Sequence, residues 1–486
     1  MTTSQLPAQP AHLWQHFYEL CKIPRPSGKE QAVRSYIIQL AEQRNLNYQV
    51  DKTGNLVVYV PASPGHEAAE TVAIQNHMDM VTVKTGDKEH NFEQDALQLM
   101  VEDGWLTADR TTLGADNGVG AAAALAAMTD EEVIHPALEL VFTVEEETGL
   151  YGASGLDASL LNATRMINLD TEDWGEVYIG CAGGYGYKAT RDFRIDSADS
   201  TLKPYLVHLK GLSGGHSGLE IHRQLGNANQ LLAELLIDCS DLSWALESFR
   251  GGVAHNVIAR EASALVYIDP AQEGKWRFRM EQASQRWLSY LPEADQGLSW
   301  SLKPSTDSSH EVLSVADRDL LLGLVVAMPH GAQNYSFAQP ADLVNLSCNL
   351  AVVNLVAGQL TIQTSLRFFN ANETSGLKYK IENIFKAYAL EMEVILDYPG
   401  WNPNFDSALV AQAAGIAEQV TGEQAQLKAI HAGLECGILL SKKPDMDVVS
   451  FGPTIRGAHS PSERLEISTV EPFWQMLTLL LKELAA

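Results

Sequence analysis

Apolar residues along this chain come in two patterns, stripes at helical spacing and short unbroken runs. Leu13, Phe17 and Leu20 predict a helix over residues 11–22. Val33, Ile37, Leu40 and Ala41 make one face of a second helix, which Ser27 and Glu30 would open as a capping box. Gly54-Asn55 separates two short strand-type runs, the second being Leu56 to Val60, and Pro61 to Gly65 reads as a loop. Unbroken apolar runs follow at Val72–Val81 (VAIQNHMDMV), Leu138–Val144 (LELVFTV), Met166–Leu169 and, far downstream, Val448–Gly452. Each predicts a short buried strand. Residues 111–128, TTLGADNGVGAAAALAAM, predict a helix of small residues. Helices interleaved with such strands make an α/β layer.

The middle of the chain, from about Tyr187 to Asp397, reads as a second α/β unit. Its predicted strands are Val207–Leu209, Val257–Ile268, Leu343–Val356 and Leu360–Phe369. Its predicted helices are Asn227–Ser248, Lys275–Leu291, Asp317–Met328 and Gly376–Met392. At 486 residues the chain exceeds one ordinary core. The expected division is residues 1–186 joined to 398–486, with 187–397 inserted, and CAGGYG (181–186) as the turn out of the first domain.

Composition narrows the partners. With 45% hydrophobic and 8% aromatic residues the chain is that of a folded globular protein. Sixty-one acidic against 34 basic residues give a formal charge of -27, a field that repels phosphate backbones and anionic membranes, so neither nucleic acid nor membrane is expected as a partner. No apolar run reaches the ~18 residues of a membrane span, and MTTSQLPAQP has no leader character. Cys21, Cys181, Cys239, Cys348 and Cys436 are scattered and odd in number, as in a reducing compartment. A cytoplasmic protein is expected.

Candidate chemistry gathers at the ends of the apolar runs. His77 and Asp79, two apart, would share one face of an extended strand, the imidazole as a metal ligand and the carboxylate as the group that orients it. Alone the pair is weak evidence, since such spacing also arises by accident. Asp116 lies among Gly114, Gly118 and Gly120, before the Ala-rich helix, where it could equally be a cap. Leu138–Val144 runs into Glu145-Glu146-Glu147, either a solvated acidic loop or a group of carboxylates that needs cations. Asp170 follows another strand, and His459 lies in the loop after Val448–Gly452. In an open α/β sheet, sites form outside the carboxyl ends of strands. Two imidazoles and three carboxylates suit a pair of borderline divalent ions, with one carboxylate shared. Glu146 would then be the general base on water.

The motifs NHMDMV, GADNGVG, EEETG, NLD and GAHSP closely resemble those of the di-zinc metallopeptidases that include carnosinases, acetylornithine deacetylase and glutamate carboxypeptidase. The longer stretches CAGGYG, LSGGHSGLEIH, LGNANQLL, HNVIAREA, YPGW, HAGLECG and SFGPTIRGAHSPSE resemble the family's dipeptidase branch, so the likeness covers nearly the whole chain. It implies a two-domain α/β protein, a mixed-sheet zinc-peptidase catalytic domain with an inserted α/β lid domain. It implies two zinc ions, for which manganese or cobalt can substitute, bridged by Asp116, with His77 and Asp170 on one and Glu147 and His459 on the other. Asp79 is the implied orienting carboxylate and Glu146 the implied base. The triple Glu leaves the register ambiguous; the family's E-E-x-G spacing to Gly149 selects Glu146 and Glu147, and Glu172 and Asp173 are decoys for Asp170. A cis peptide between Asp116 and Asn117 is also implied. In the lid, His216 would stabilise the oxyanion while Asn256 and Arg367 hold the substrate, although an ion pair would also explain Arg367; His222, His255 and His431 are given no role. The implied activity is hydrolysis of unblocked dipeptides, especially Xaa-His such as carnosine, by a homodimer joined through the lid. The alternatives are an amidohydrolase of N-acyl amino acids and a catalytically silent protein on the same fold.

Overall fold

In the computed structural model, which describes residues 6–336 and 343–486, the run at Val72–Val81 is a strand from Val72 to His77 with every residue buried. It runs parallel to Leu138–Thr143 on one side and Arg165–Asn168 on the other. Asp447–Ser450 adds a further parallel strand beside Arg165–Asn168. Asn47–Val50 and Leu56–Val60 extend the sheet antiparallel beyond Leu138–Thr143, and Glu176–Cys181 and Gln426–Ile430 complete the other side. Strands covered on both faces lose the polar alternation of half-exposed ones, which is why they read as continuous apolar runs.

Helices Ala11–Lys22 and Ala115–Thr129 pack on each other, and the latter also packs on the central strand. Its small side chains permit this approach; a Cβ on Gly120 would run into the Leu169 carbonyl. Helix Gln31–Gln43 starts without the expected capping box. Ser27 Oγ instead donates to Asp79 Oδ2 at 2.7 Å, and Glu30 Oε1 accepts from the Gly28 and Glu145 amides. These elements form the first compact unit, Met1–Cys181 with Trp401–Ala429 and Leu434–Ala486.

The second unit is Ala182–Gly400 with Ile430–Gly433, so its limits fall near the expected 187–397 and a short later segment joins it. Its antiparallel sheet runs in the order Ser299–Pro304, Lys203–Lys210, Ala262–Ile268, Trp244–Gly251, Val344–Val356, Gln359–Phe368, Gly183–Asp192, Glu391–Tyr398. Several expectations need correction. The helix predicted over Asn227–Ser248 stops at Asp238, and Trp244–Gly251 is a strand of the sheet. The one predicted over Gly376–Met392 stops at Ala387; Ala389 turns the chain at φ 53° and Glu391–Tyr398 follows as a strand. Val257–Ile268 divides into Val257–Ile258 and Ala262–Ile268. CAGGYG is not a turn: one strand ends at Cys181 and the next begins at Gly183. Its glycines admit a neighbouring segment, since Cβ atoms on Gly183 and Gly184 would collide with Tyr398–Gly400. Among the described residues no helix is long and apolar enough to cross a membrane.

Candidate active site

Because the four strands Leu138–Thr143, Val72–His77, Arg165–Asn168 and Asp447–Ser450 are parallel, their carboxyl ends open on one side of the first unit's sheet. His77 is the last residue of its strand, and Glu147, Asp170 and His459 sit in the loops beyond the other three. Asp116 comes from the entry of the Ala-rich helix. It does not cap that helix: Asp116 and Asn117 have non-helical backbones and are joined by a cis peptide.

The carboxylate of Asp116 faces two imidazoles at once. Its Oδ1 lies 3.1 Å from His77 Nε2 and its Oδ2 lies 3.2 Å from His459 Nε2. Asp170 Oδ1 is 3.4 Å from the same His77 nitrogen, and Glu147 Oε2 is 2.9 Å from that of His459. Two groups of potential ligand atoms, each confined within 4.8 Å, therefore share Asp116: His77–Asp116–Asp170 and Asp116–Glu147–His459. A third, His77–Glu146–Glu147, places Glu146 at the same spot. Glu145 turns at φ 49°, and the Gly149 and Leu150 amides donate back to Glu146 O, which sets Glu146 and Glu147 apart from their neighbour.

Asp79 organises this cluster from behind. Its Oδ1 is 3.3 Å from His77 Nδ1 and accepts from the Glu146 amide, while Oδ2 accepts from the Glu147 amide and Ser27. A carboxylate beside Nδ1 favours a proton there, which would let Nε2 of a neutral imidazole offer its lone pair to a cation held among Asp116 and Asp170.

The charges are crowded. Burial pushes Glu146 well above the usual carboxylate range, with Glu147, Asp170 and Glu435 adding repulsion. Burial likewise raises Asp170 to about 6 and Glu172 to about 8. Hydrogen bonds that His459 donates to the Asp116 and Glu147 carboxylates carry its pKa up to about 11. Burial works against the His77 cation, yet Asp170, Asp116 and Asp79 together raise its pKa well above the ordinary value. Glu147 Oε1 is buried without a hydrogen-bond partner. Such a set of imidazole and carboxylate donors, some unpaired and all close, fits borderline divalent cations.

Several supporting residues were missed by the sequence reading. Arg25, 2% exposed, donates to the carbonyls of Met78, Asp79 and Gly114, tying the strand end to the Asp116 loop. Glu463 accepts from four consecutive amides, Leu113 to Asp116, at 2.7–3.3 Å. Asn117 Nδ2 donates to Leu169 O and to Asp170 Oδ1. Glu435 is fully buried and accepts from Gln75 and Thr143; burial raises it to about 8. Motif context alone flagged the last stretches, through HAGLECG and SPSE; nothing in the periodicity singled out Arg25.

In the second unit His216 and Arg367 come together. His216 Nδ1 accepts from the Gly218 and Leu219 amides at 3.3 and 3.2 Å, which leaves the proton on Nε2. That nitrogen lies 3.4 Å from Arg367 Nη2, so two donors face common ground, an arrangement complementary to an anionic oxygen. Asn256 joins through its carbonyl, which accepts from the Ser217 amide at 2.8 Å. Gly218 is required here, because a Cβ would meet the His431 carbonyl, the His216 ring and Arg367. His431 bonds to Ser347 Oγ at 2.8 Å, and burial lowers its pKa to about 3.

Residues 73–483 match Peptidase family M20/M25/M40. The chain belongs to this family. Among M20 relatives it is 35% identical over 485 residues to the cytosol non-specific dipeptidase of Escherichia coli (strain K12), covering 99% of each chain. It is also 35% identical to aminoacylhistidine dipeptidase from Vibrio alginolyticus, whose crystal structure matches with a TM-score of 0.87 over 99% of this chain and 98% of that one. The M20 fold extends to human carnosine dipeptidase 1, at a TM-score of 0.53 and 12% identity over 97% and 96% of the two chains. Membership makes the protein a peptidase, a hydrolase on the expected mixed-sheet α/β fold.

Proposed function

We propose that the protein is a di-zinc dipeptidase acting on unblocked dipeptides, Xaa-His peptides such as carnosine among them. The observation that carries this reading is Asp116, whose two oxygens each face a different imidazole at 3.1 and 3.2 Å within two overlapping donor groups. Full-length similarity to two dipeptidases supports the substrate class. In this reading His77 and Asp170 hold one ion, Glu147 and His459 the other, and Asp116 both; manganese or cobalt can replace zinc on such ligands. Bound there, the ions supply polarisation of the scissile carbonyl and a more acidic water.

The chain's own groups do the rest. Asp79 holds His77 in its tautomer and pins the Glu146 and Glu147 amides. Glu146 takes the proton of the attacking water and returns it to the leaving amine. Arg367 receives the C-terminal carboxylate in its forked donors, His216 Nε2–H stabilises the developing oxyanion, and Asn256 adds a hydrogen bond to substrate. The donor-bearing first unit is the catalytic domain, and the second, Ala182–Gly400 with Ile430–Gly433, is the lid through which a cytoplasmic homodimer forms.

The test is a chromatographic assay of zinc-reconstituted protein on carnosine, Gly-His, a neutral dipeptide, a tripeptide and an N-acetyl amino acid, with Glu146→Ala beside it. Cleavage confined to dipeptides, and lowered at least about 10²-fold in the variant, is expected. Turnover of the N-acetyl substrate alone would move the protein to deacylation, and no turnover with two bound ions would leave a silent scaffold.

A further inference from the structure

We propose that Asp295 is a positioning residue for His216, its buried carboxylate clamping together the two ends of the loop that carries the imidazole. Asp295 is 0% exposed and closes a one-turn helix, Glu293–Asp295. Its Oδ1 accepts from the Ser213 amide at 2.7 Å and its Oδ2 from the Gly226 amide, also at 2.7 Å. These two amides bracket everything from Gly214 to Leu225, so a single carboxylate closes the loop at its neck.

Inside the neck the loop has its own order. Gly214 and Gly215 take φ 64° and 139°, conformations that favour glycine. Gly215-His216 pairs with Val257-Ile258, and Glu220 Oε2 accepts from the His216 amide at 2.9 Å. Ile221 and Leu225 form a small apolar cluster with Ile258 and Val344. The Glu220 contact holds the loop's own shape, the pairing and the cluster dock it on Val257-Ile258 and Val344, and the neck fixes where its two ends enter and leave. Packing at the neck comes from Leu212 and Leu291 against Gly226, but packing does not define direction. An amide in place of Asp295 would accept from one N–H and oppose the other with its own donors, so only a carboxylate closes both ends. Burying that charge is costly unless both oxygens are satisfied, as they are here.

The inference rests on the proposal that His216 takes part in turnover, and the test separates the two. Dipeptide kinetics are measured for His216→Ala, Asp295→Asn and the double variant, with bound zinc determined for each. Expected for Asp295→Asn is a fall in kcat of about 10–100-fold with KM and zinc content little changed, since a shift of about 1 Å in a positioned group costs that order. The double variant is expected to be no slower than His216→Ala, because both changes remove one contribution. Full kcat in Asp295→Asn, or losses that multiply in the double variant, would overturn the inference while leaving His216 in place. Full activity in His216→Ala would overturn the parent reading and the inference with it. Hydrogen exchange on the wild-type enzyme decides the matter even where Asp295→Asn does not fold: the Ser213 and Gly226 amides are expected to be protected like those of the sheet, and free exchange at both would refute the clamp.

Discussion

At the scale of single residues, a buried histidine need not be a ligand, and His16 shows how the two kinds differ. Its Nε2 is 2.8 Å from Thr129 Oγ1 and its Nδ1 is 3.3 Å from Tyr36 OH, both neutral partners, whereas His77 and His459 face carboxylates. Burial, with His12 and Arg44 adding to it, lowers His16 from 6.5 to about 4. Between those values the unfolded chain binds a proton that the folded chain refuses, so the contribution to stability is whole above pH 6.5 and is lost as pH falls through the window. At pH 5 the loss is about 2 kcal/mol. Urea denaturation of wild type and His16→Gln should show their stability gap at pH 7 shifting by about that amount, against the wild type, by pH 5. A gap independent of pH would sink this account. In the sequence the two differ only in their neighbours: His77 lies two residues from Asp79 at the end of an apolar run, while His16 lies within the stretch predicted as a helix over residues 11–22. Arg25 and Glu463 offered no such cue, because their partners are backbone atoms distant in sequence.

At the scale of elements, apolar runs of the first unit were legible because burial on both faces leaves a continuous signature. The same rule failed in the second unit. There Trp244–Gly251 alternates between buried and partly exposed positions, and its period was absorbed into the preceding helix. Glu391–Tyr398, mostly exposed at the sheet edge, carries no core pattern that would end the helix before it. The loop entering the Ala-rich helix was legible as a glycine cluster but not in what holds it. Glu463 holds it, with both oxygens shared among four amides. Glu463→Ala would leave those buried donors without an acceptor, at about 1–3 kcal/mol for each one that water fails to reach. We expect a clear drop in thermal stability together with zinc affinity weaker by about 10–100-fold, the usual effect of losing a group that orients ligands. Chelator-competition titration measures the second quantity, and unchanged affinity in a folded variant would show that the Asp116 loop keeps its shape without Glu463.

At the scale of the whole molecule, each group of side chains that could hold an ion among the described residues lies in the first unit, although the chain leaves that unit at Cys181 and returns at Trp401 before reaching His459. Two divalent ions would offset only a small part of a formal charge of -27, so their effect on the global field is minor. Their local effect is large, because they replace repulsion among Glu146, Glu147, Asp116 and Asp170 with attraction. Binding to the folded state alone contributes about 4 kcal/mol when free ion stands at 1,000 times Kd. That stabilisation should appear where the donors are. Hydrogen exchange before and after chelation is therefore expected to lose protection in Val72–His77, in the segment from Leu113 to Asp116 and in Arg165–Asn168. The paired strands Val344–Val356 and Gln359–Phe368, joined along nearly their full length, should keep theirs. Equal loss in both units would mean that ion binding is spent on holding the whole chain together, and the ions would then have to be read as structural as well as catalytic.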